Sequence, residues 1–383
     1  MFIKKIVKLR LPKRLREGRV AASLLLSAAI FLFSASYALA GSNVTVTRQF
    51  QPGAQAAVTS SAGDNNGFQT TPTYAYANGG GSAMDTNSGA PNNSVPAGTG
   101  TDKHNYYNYS LSSIPSGSTI NGITVRVDMA VDTVTPGNQQ RPYTSIRLSW
   151  DGGTSWTTEI TTNLTAAAET TYNYGGSSYT WGRTWSTSEL TDANFRVQVI
   201  NGDYGNGGSA RDFSLDWIPV SITFTAPWDS YSDSARTTIN DNFTNSTGIV
   251  YMKGTGYPSG TYNVTYYDAG ASGGQKTSTE SGISVAGDGI LNSQYLLNTD
   301  PSRVAGTWHT LAQSTSNGTA FPTGYDTAVA SPDTYGILGN DAFTVQTSAI
   351  PEFPGSAAGI MVASACFGLY YWMRRRRLAY VKA

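Results

Sequence analysis

The chain reads as an all-β protein: two β-sandwich domains followed by one C-terminal transmembrane helix. Three observations predict this. Gly, Ser, Thr, Asn and Tyr dominate, a mix that favours strands and turns over helices. Period-two runs such as Ile123-Thr124-Val125-Arg126-Val127-Asp128-Met129 recur, each with one face to bury. The last stretch differs from the rest, because the 19 residues Gly355–Met373 carry no charge.

Residues 1–40 read as a signal peptide. Eight basic side chains lie between Lys4 and Arg19, and an apolar segment follows from Val20 to about Tyr37. Ala38 and Ala40 supply the small residues that signal peptidase inspects, so Gly41 is the expected mature start. No cysteine follows the apolar segment, which excludes a bacterial lipoprotein signal.

Between the two ends the chain is acidic. Residues 41–350 hold 12 Lys/Arg against 23 Asp/Glu, a net charge of −11. That sign opposes binding to nucleic acid or anionic lipid. It suits a soluble surface protein whose loops hold calcium, and Asp64, Asp85 and Asp102 offer hard oxygen ligands for it. No contiguous EF-hand or nonapeptide pattern accompanies them, and turn-forming roles compete. The one cysteine, Cys366, falls in the apolar tail. Disulfides, a thiolate nucleophile and cysteine-based zinc are therefore not expected in residues 41–350.

The first predicted sandwich spans 41–226. Val44–Thr47 reads as a short strand, and 53–103 is rich in Gly, Asn, Ser and Ala, with Phe68, Tyr74 and Tyr76 arguing for a folded, loop-rich part rather than a linker. Ile123–Val131 alternates as a half-buried strand. Ile146, Leu148 and Trp150 continue the pattern, and Asp151-Gly152-Gly153 turns the chain back toward Trp156, Thr158 and Ile160 as a hairpin. Phe195, Val197 and Val199 make another strand. The Phe213–Phe224 run slips phase at Pro219, which predicts a bulge or an edge position.

The second predicted sandwich spans 227–349, after Ala226-Pro227. Strands are expected at Ile249–Gly254, Gly260–Tyr267, Ile283–Val285, Ile290–Leu297, Gly306–Leu311 and Ala342–Val345. Six or seven short strands at intervals of about 10–15 residues suggest an immunoglobulin-like arrangement.

Catalytic signals are weak. His104 and His309 are the only histidines, and neither lies near a Gly-x-Ser-x-Gly elbow. A glycosidase needs two facing carboxyl groups, and no pair among Glu159, Glu169, Glu189, Glu280 and the loop aspartates stands out. Sugar binding is better supplied. Flat Trp and Tyr faces with polar neighbours suit it, and Trp181, Arg183 and Trp185 are the candidates, with Tyr106, Tyr107 and Tyr109. Packing in the core is the competing role for every one of these rings.

The tail, 350–383, has three parts: Pro351-Glu352-Phe353, the apolar run 355–373, and Arg374, Arg375, Arg376 and Arg377. Nineteen helical residues span about 28 Å, close to a bilayer core. The arginines would hold that end on the cytoplasmic side. This order resembles the PEF-CTERM and PEP-CTERM sorting signals. The resemblance implies a membrane-embedded exosortase or archaeosortase that cleaves near the motif and transfers the protein to a surface anchor. An ordinary single-pass anchor is the alternative.

Two further resemblances lie inside the chain. Ser149-Trp150-Asp151-Gly152-Gly153-Thr154-Ser155-Trp156 is similar to the Asp-box hairpin, in which the Asp bonds turn amides. Sialidase propellers carry several copies and this chain has one, which argues against a propeller. Residues 67–224 resemble a recurrent module of secreted prokaryotic surface proteins. The matching parts are Ile114-Pro115-Ser116-Gly117, Ile120-Asn121-Gly122-Ile123, the hairpin, Thr180-Trp181-Gly182-Arg183-Thr184-Trp185, Ala193-Asn194-Phe195-Arg196-Val197 and Leu215-Asp216-Trp217. That resemblance implies a jelly-roll, lectin-like sandwich and no specific ligand.

The expected protein is therefore non-enzymatic, secreted, displayed at the cell surface through its tail, and adhesive or carbohydrate-binding. Its partners would be the membrane, signal peptidase, the sorting enzyme, and an extracellular polysaccharide or surface protein. A structural component of a sheath, layer or matrix, and a secreted carbohydrate-active enzyme, are the alternatives.

Overall fold

The computed structural model describes residues 43–58, 66–88, 101–134, 141–204, 211–244, 248–270, 276–297 and 305–346. Within them the protein is all-β, with four sheets and only short helical turns. Among the described residues no helix is long and apolar enough to cross a membrane. The signal-peptide reading with Ala38, Ala40 and Gly41, the tail from Pro351 to Arg377, and Asp64 all lie outside the described residues.

Residues 46–225 form two antiparallel sheets. The strands are β1 (Val46–Phe50), β2 (Ala54–Ala57), β3 (Ala83–Ser88), β4 (Asp102–Tyr107), β5 (Thr119–Val131), β6 (Arg141–Ser149), β7 (Ile160–Asn163), β8 (Thr170–Gly176), β9 (Arg196–Tyr204), β10 (Arg211–Trp217) and β11 (Val220–Thr225). The first sheet runs β1-β11-β5-β10-β3 with β8 also on β5; the second runs β2-β4-β9-β6-β7.

β5 is the spine. One flank pairs with β11 and then β10, and the other pairs with β8. Its alternation does what the sequence predicts: Ile123, Val125, Val127 and Met129 are fully buried. The hairpin is also as expected, with β6 on β7 and a bridge from Ser149 to Trp156. The phase slip at Pro219 is the break between β10 and β11. The register shifts between Leu215 and Trp217, and both strands pair with β5. The slip therefore marks a bulge and a strand break inside the sheet rather than an edge. Proline lacks the N–H that would continue the ladder, and its carbonyl accepts from the Arg126 amide at 3.1 Å.

Polar bonds join these two sheets through the core. The Tyr174 hydroxyl on β8 donates to the Thr144 carbonyl on β6 at 3.3 Å, and Asn201 Nδ2 on β9 donates to Asp85 Oδ2 on β3 at 2.7 Å.

Residues 228–346 form the other two sheets. They comprise β12 (Trp228–Tyr231), β13 (Asn242–Thr244), β14 (Ile249–Gly254), β15 (Gly260–Tyr267), β16 (Lys276–Val285), β17 (Leu291–Leu296), β18 (Gly306–Ser314) and β19 (Ile337–Gln346). A three-stranded sheet runs β12-β14-β17 and a five-stranded sheet β13-β19-β18-β15-β16, with β13 parallel to β19. Trp228 Nε1 donates to Thr310 Oγ1 at 2.8 Å, and Tyr266 Oη and Ser293 Oγ share a bond of 2.7 Å, so both sheets bury one shared core.

The two halves touch along β1 and the loop before β5. The Val44 amide donates to the Asn340 carbonyl at 3.1 Å, the Ser116 amide to the Gly256 carbonyl at 2.7 Å, and Arg48 pairs with Asp333 at 3.0 Å.

Candidate functional site

The segment between β8 and β9 carries the predicted sugar-binding triplet. Tyr179 and Arg183 amides close turns onto Gly176 and Thr180 carbonyls. Trp181 adopts φ +58° and turns its indole inward, where Nε1 donates to the Ile123 carbonyl of β5 at 2.9 Å. Gly175, at φ +82°, leaves the space: a Cβ there would lie 2.8 Å from Trp181 Nε1. Trp185 Nε1 donates to the Thr180 carbonyl at 2.9 Å.

The Arg183 guanidinium lies 3.9 Å from the Trp150 ring centre and 4.5 Å from that of Trp185, and its Nη2 is 2.7 Å from Glu189 Oε1. Arg183 and Trp185 are thus brought together, while Trp181 packs against Tyr179 and β5, and Trp181 and Trp185 are only 4% and 3% exposed. Their faces pack on the protein. The open aromatic at this place is Tyr179, 48% exposed and edge-on to Trp181 at 6.0 Å. Sequence reasoning missed it, since nothing local distinguishes an outward tyrosine from an inward tryptophan two residues on. Tyr106 and Tyr109 are likewise buried, and Tyr107 carries the Arg196 guanidinium 4.1 Å from its ring centre.

The neighbouring hairpin is held by Asp151. Its Oδ1 accepts from the Thr154 amide at 3.0 Å, the Ser155 amide at 2.7 Å and the Ser149 hydroxyl at 3.0 Å. The Ser155 amide bond is the main cause that holds this carboxyl below the usual carboxylate range. The role is structural, as the hairpin's sequence implies.

Of the predicted calcium ligands, Asp85 and Asp102 are brought together from opposite sheets. Ser88 Oγ bonds to Asp85 Oδ1 and lies 2.8 Å from Asp102 Oδ2. Both aspartates are buried, and Asn201 adds a donor to Asp85.

Two other carboxylate groups stand closer to metal-ligand geometry, each with oxygens within 4.8 Å of one another. In Asp128–Glu169–Asp216 the first two-pronged partner is protein: Arg126 Nε and Nη2 reach Asp128 at 2.9 and 2.8 Å, and Thr171 Oγ1 donates at 2.6 Å. Asp216 accepts from the Gly79 amide at 3.0 Å. Glu169 is exposed, yet partial desolvation of its carboxyl, then the charges of Asp216 and Asp128, raise its pKa.

The second group, Asp229–Asp241–Asp341, is deeper, with Asp341 fully buried and Asp241 5% exposed. Desolvation, then the charges of Asp229 and Asp241, push the Asp341 carboxyl up to about 8; desolvation, then Asp241, pushes Asp229 up to about 6.

The histidines are packing residues in separate halves. His104 Nδ1 accepts from the Phe68 amide at 3.2 Å and Nε2 donates to Gln55 Oε1 at 2.7 Å. His309 stacks on Tyr325 at 3.8 Å between ring centres. Burial lowers the pKa of both, His104 to about 4. Where the halves meet lie two grooves, one of about 360 Å³ with a mixed lining and one of about 440 Å³ lined mainly by polar side chains, and Arg48 and Asp333, one in each, are paired with one another.

No protein-family model matches the chain, and none of the curated proteins matches it. Among solved structures, the infectious bursal disease virus Gt strain aligns at a TM-score of 0.22 and 10% identity, covering 47% of this chain and 32% of that one. The Bacteroides uniformis beta-glucuronidase aligns at 0.16 and 9% identity, covering 57% and 25%. The chain thus spans a third or less of the length of these proteins.

Proposed function

We propose that this is a non-enzymatic cell-surface protein that is secreted, retained or sorted through its C-terminal tail, and adhesive or carbohydrate-binding. One observation carries the reading: an acidic β-rich region, 41–349, is bracketed by a basic-then-apolar leader and by Pro351-Glu352-Phe353, an apolar run and four arginines. Signal peptidase and an exosortase- or archaeosortase-type enzyme are the processing partners this order supports. In finer terms, 41–226 is a jelly-roll-like sandwich and 227–349 an immunoglobulin-like one. The distal half then meets the partner, and the proximal half holds it off the membrane.

The surface around Tyr179 is the sugar-facing region this reading favours, because an exposed ring beside fixed polar groups is what stacking on a sugar requires. The burial of Trp181 and Trp185 favours a second reading, a structural component of a sheath, surface layer or matrix whose partners are other proteins.

The first test is peptide mass spectrometry of protein extracted from the surface of the producing cells. A C-terminus near Pro351–Phe353 and no peptides from 355–383 is expected. An intact chain through Ala383 overturns the sorting step. A glycan array probed with the full-length chain, wild type and Tyr179→Ala, then separates the readings: binding lost in the variant supports the adhesive one, and a blank array supports the structural one.

A further inference from the structure

The second acidic group sits where the two sheets of the 228–346 half meet. Asp229 is in β12, Asp241 directly precedes β13, and Asp341 is in β19. Strand alternation puts Asp341 on the same face of β19 as Gly339 and Phe343. That face is core. A Cβ at Gly339 would meet the Trp228 ring at 3.1 Å and collide with the Tyr257 hydroxyl, and Phe343 packs edge-on to Phe243 at 5.4 Å.

Asp341 therefore projects a carboxylate into an aromatic interior at zero exposure, and neither of its oxygens makes a well-formed hydrogen bond, although the Ala342 amide and the Ser230 hydroxyl lie close enough to act on its charge. Among the described residues, no Lys or Arg stands within ion-pairing distance of Asp341 or Asp229. A buried charge left in this way is strongly disfavoured.

Two things could relieve it. A proton is the first, and burial with two neighbouring carboxylates does favour the neutral acid. A protonated carboxyl, however, is itself a donor and needs an acceptor, and neither oxygen makes a well-formed hydrogen bond; the neighbours that reach it, the Ala342 amide and the Ser230 hydroxyl, favour its charged form. A cation is the second. It reverses the sign of the interaction that each carboxylate feels and satisfies the bare oxygens at once.

The donor set is all oxygen, with no His or Cys in the group. Ser230 Oγ lies 3.0 Å from both Asn240 O and Asp241 Oδ1, so a hydroxyl and a main-chain carbonyl border the carboxylates. Hard oxygens in this number, including a main-chain carbonyl, are the environment calcium takes.

We infer that Asp229, Asp241 and Asp341 form a calcium site that ties β12, the entry to β13 and β19 together. It is distinct from Asp64, Asp85 and Asp102, and does not depend on the surface role proposed above. Its consequence is mechanical. The ion would clamp together three segments that are joined otherwise by few ladder bonds, since β12 and β13 have only four and three residues.

The test uses the full-length chain in mild detergent at pH 7.5, stripped with chelator and dialysed. Thermal unfolding is followed with added CaCl2 or MgCl2, and terbium luminescence is excited through nearby aromatic rings such as Trp228. Calcium at about 100 times its Kd should raise the Tm of the 228–346 half by about 5–10 °C. The shift and the terbium signal should vanish in Asp341→Asn, weaken at least about tenfold in affinity in Asp229→Asn, and persist in Glu169→Gln, which removes a carboxylate of the other group.

If Asp341→Asn does not fold, Asp229→Asn decides, because that residue is only partly buried. A wild type indifferent to both ions, with Asp341→Asn more stable in chelator, would overturn the site in favour of a buried neutral acid. A calcium response unchanged in Asp229→Asn and Asp341→Asn would place the ion elsewhere. A response to magnesium alone would overturn the assignment to calcium.

Discussion

Lowering the pH should loosen the first half of the protein at His104, and the structure gives the size of the effect. The ring is 1% exposed on β4, where it lies 5.0 Å from the Tyr106 ring and 5.7 Å, edge-on, from Phe68. Both nitrogens are committed: Nδ1 accepts from the Phe68 amide, and Nε2 donates to Gln55 Oε1. A second proton on Nδ1 would face the Phe68 N–H donor to donor, in a site with little water to solvate the charge.

Burial accordingly lowers the pKa from 6.5 to about 4. Between those values the unfolded chain binds the proton and the folded chain does not. The stabilisation is therefore complete above pH 6.5 and is lost as pH falls toward 4. At about 1.4 kcal/mol per pH unit that interval amounts to about 3.5 kcal/mol in full, of which about 3 kcal/mol is lost by pH 4, where the folded ring is half protonated.

The assay is urea unfolding of wild type and His104→Asn at pH 7, 5.5 and 4. Asparagine offers an oxygen to the Phe68 amide but does not titrate in this range. The variant will be weaker at pH 7 for want of the ring, and the comparison rests on slope. Wild type should lose about 3 kcal/mol more than the variant between pH 7 and 4. Parallel pH profiles, or an NMR titration that finds His104 at its ordinary pKa, would refute the reasoning.

Three further outcomes are expected. Trp181→Ala should cost about 3–5 kcal/mol in urea unfolding because it empties a buried site, whereas Tyr179→Ala should stay within about 0.5 kcal/mol; only the second can report on a ligand. Gly256→Ala should cost at least about 1 kcal/mol, since φ is +71° and the new methyl would strike the Ser116 carbonyl, and limited proteolysis near Ala226-Pro227 should quicken as the halves part. Arg48→Ala should change stability by less than about 1 kcal/mol, and less still in high salt, because Asp333 is 45% exposed; chemical unfolding at two ionic strengths measures it.

Much of the β architecture was legible from local patterns. β5, the β6–β7 hairpin, β9, β14, β15, β17 and β18 lie where alternation or a turn signal put them, because a strand with one buried face must repeat every two residues. The Asp151 turn was legible for a different reason: the bonds to its carboxylate lie within residues 149–155. The strands that escaped notice are short or polar. β2, β12 and β13 have four, four and three residues, too few to show a period, and they are strands because a partner lies alongside. The two helical turns at Tyr325–Ala330 and Pro332–Tyr335 are also shorter than any helical repeat could reveal.

The sites divide along the same line. By itself the sequence determined the expectation of a β-rich, cysteine-free region between an apolar leader and an apolar, arginine-ended tail, since composition and run length are properties of contiguous residues. It also nominated Trp181, Arg183 and Trp185 as sugar-binding candidates, of which Arg183 and Trp185 lie against each other. Tertiary structure alone decided that the two indoles point inward to the Ile123 and Thr180 carbonyls while Tyr179 points out. It also decided that Asp341, which reads as part of a polar Gly339-Asn340-Asp341 stretch, meets Asp229 and Asp241 inside a core. Asp341 lies about a hundred residues along the chain from the other two; the pairing of β13 with β19 brings Asp241 to it, and the stacking of the two sheets brings Asp229, so that their carboxylate oxygens lie within 4.8 Å. Periodicity tells which face of a strand is buried; what it is buried against depends on long-range pairing that no local pattern carries.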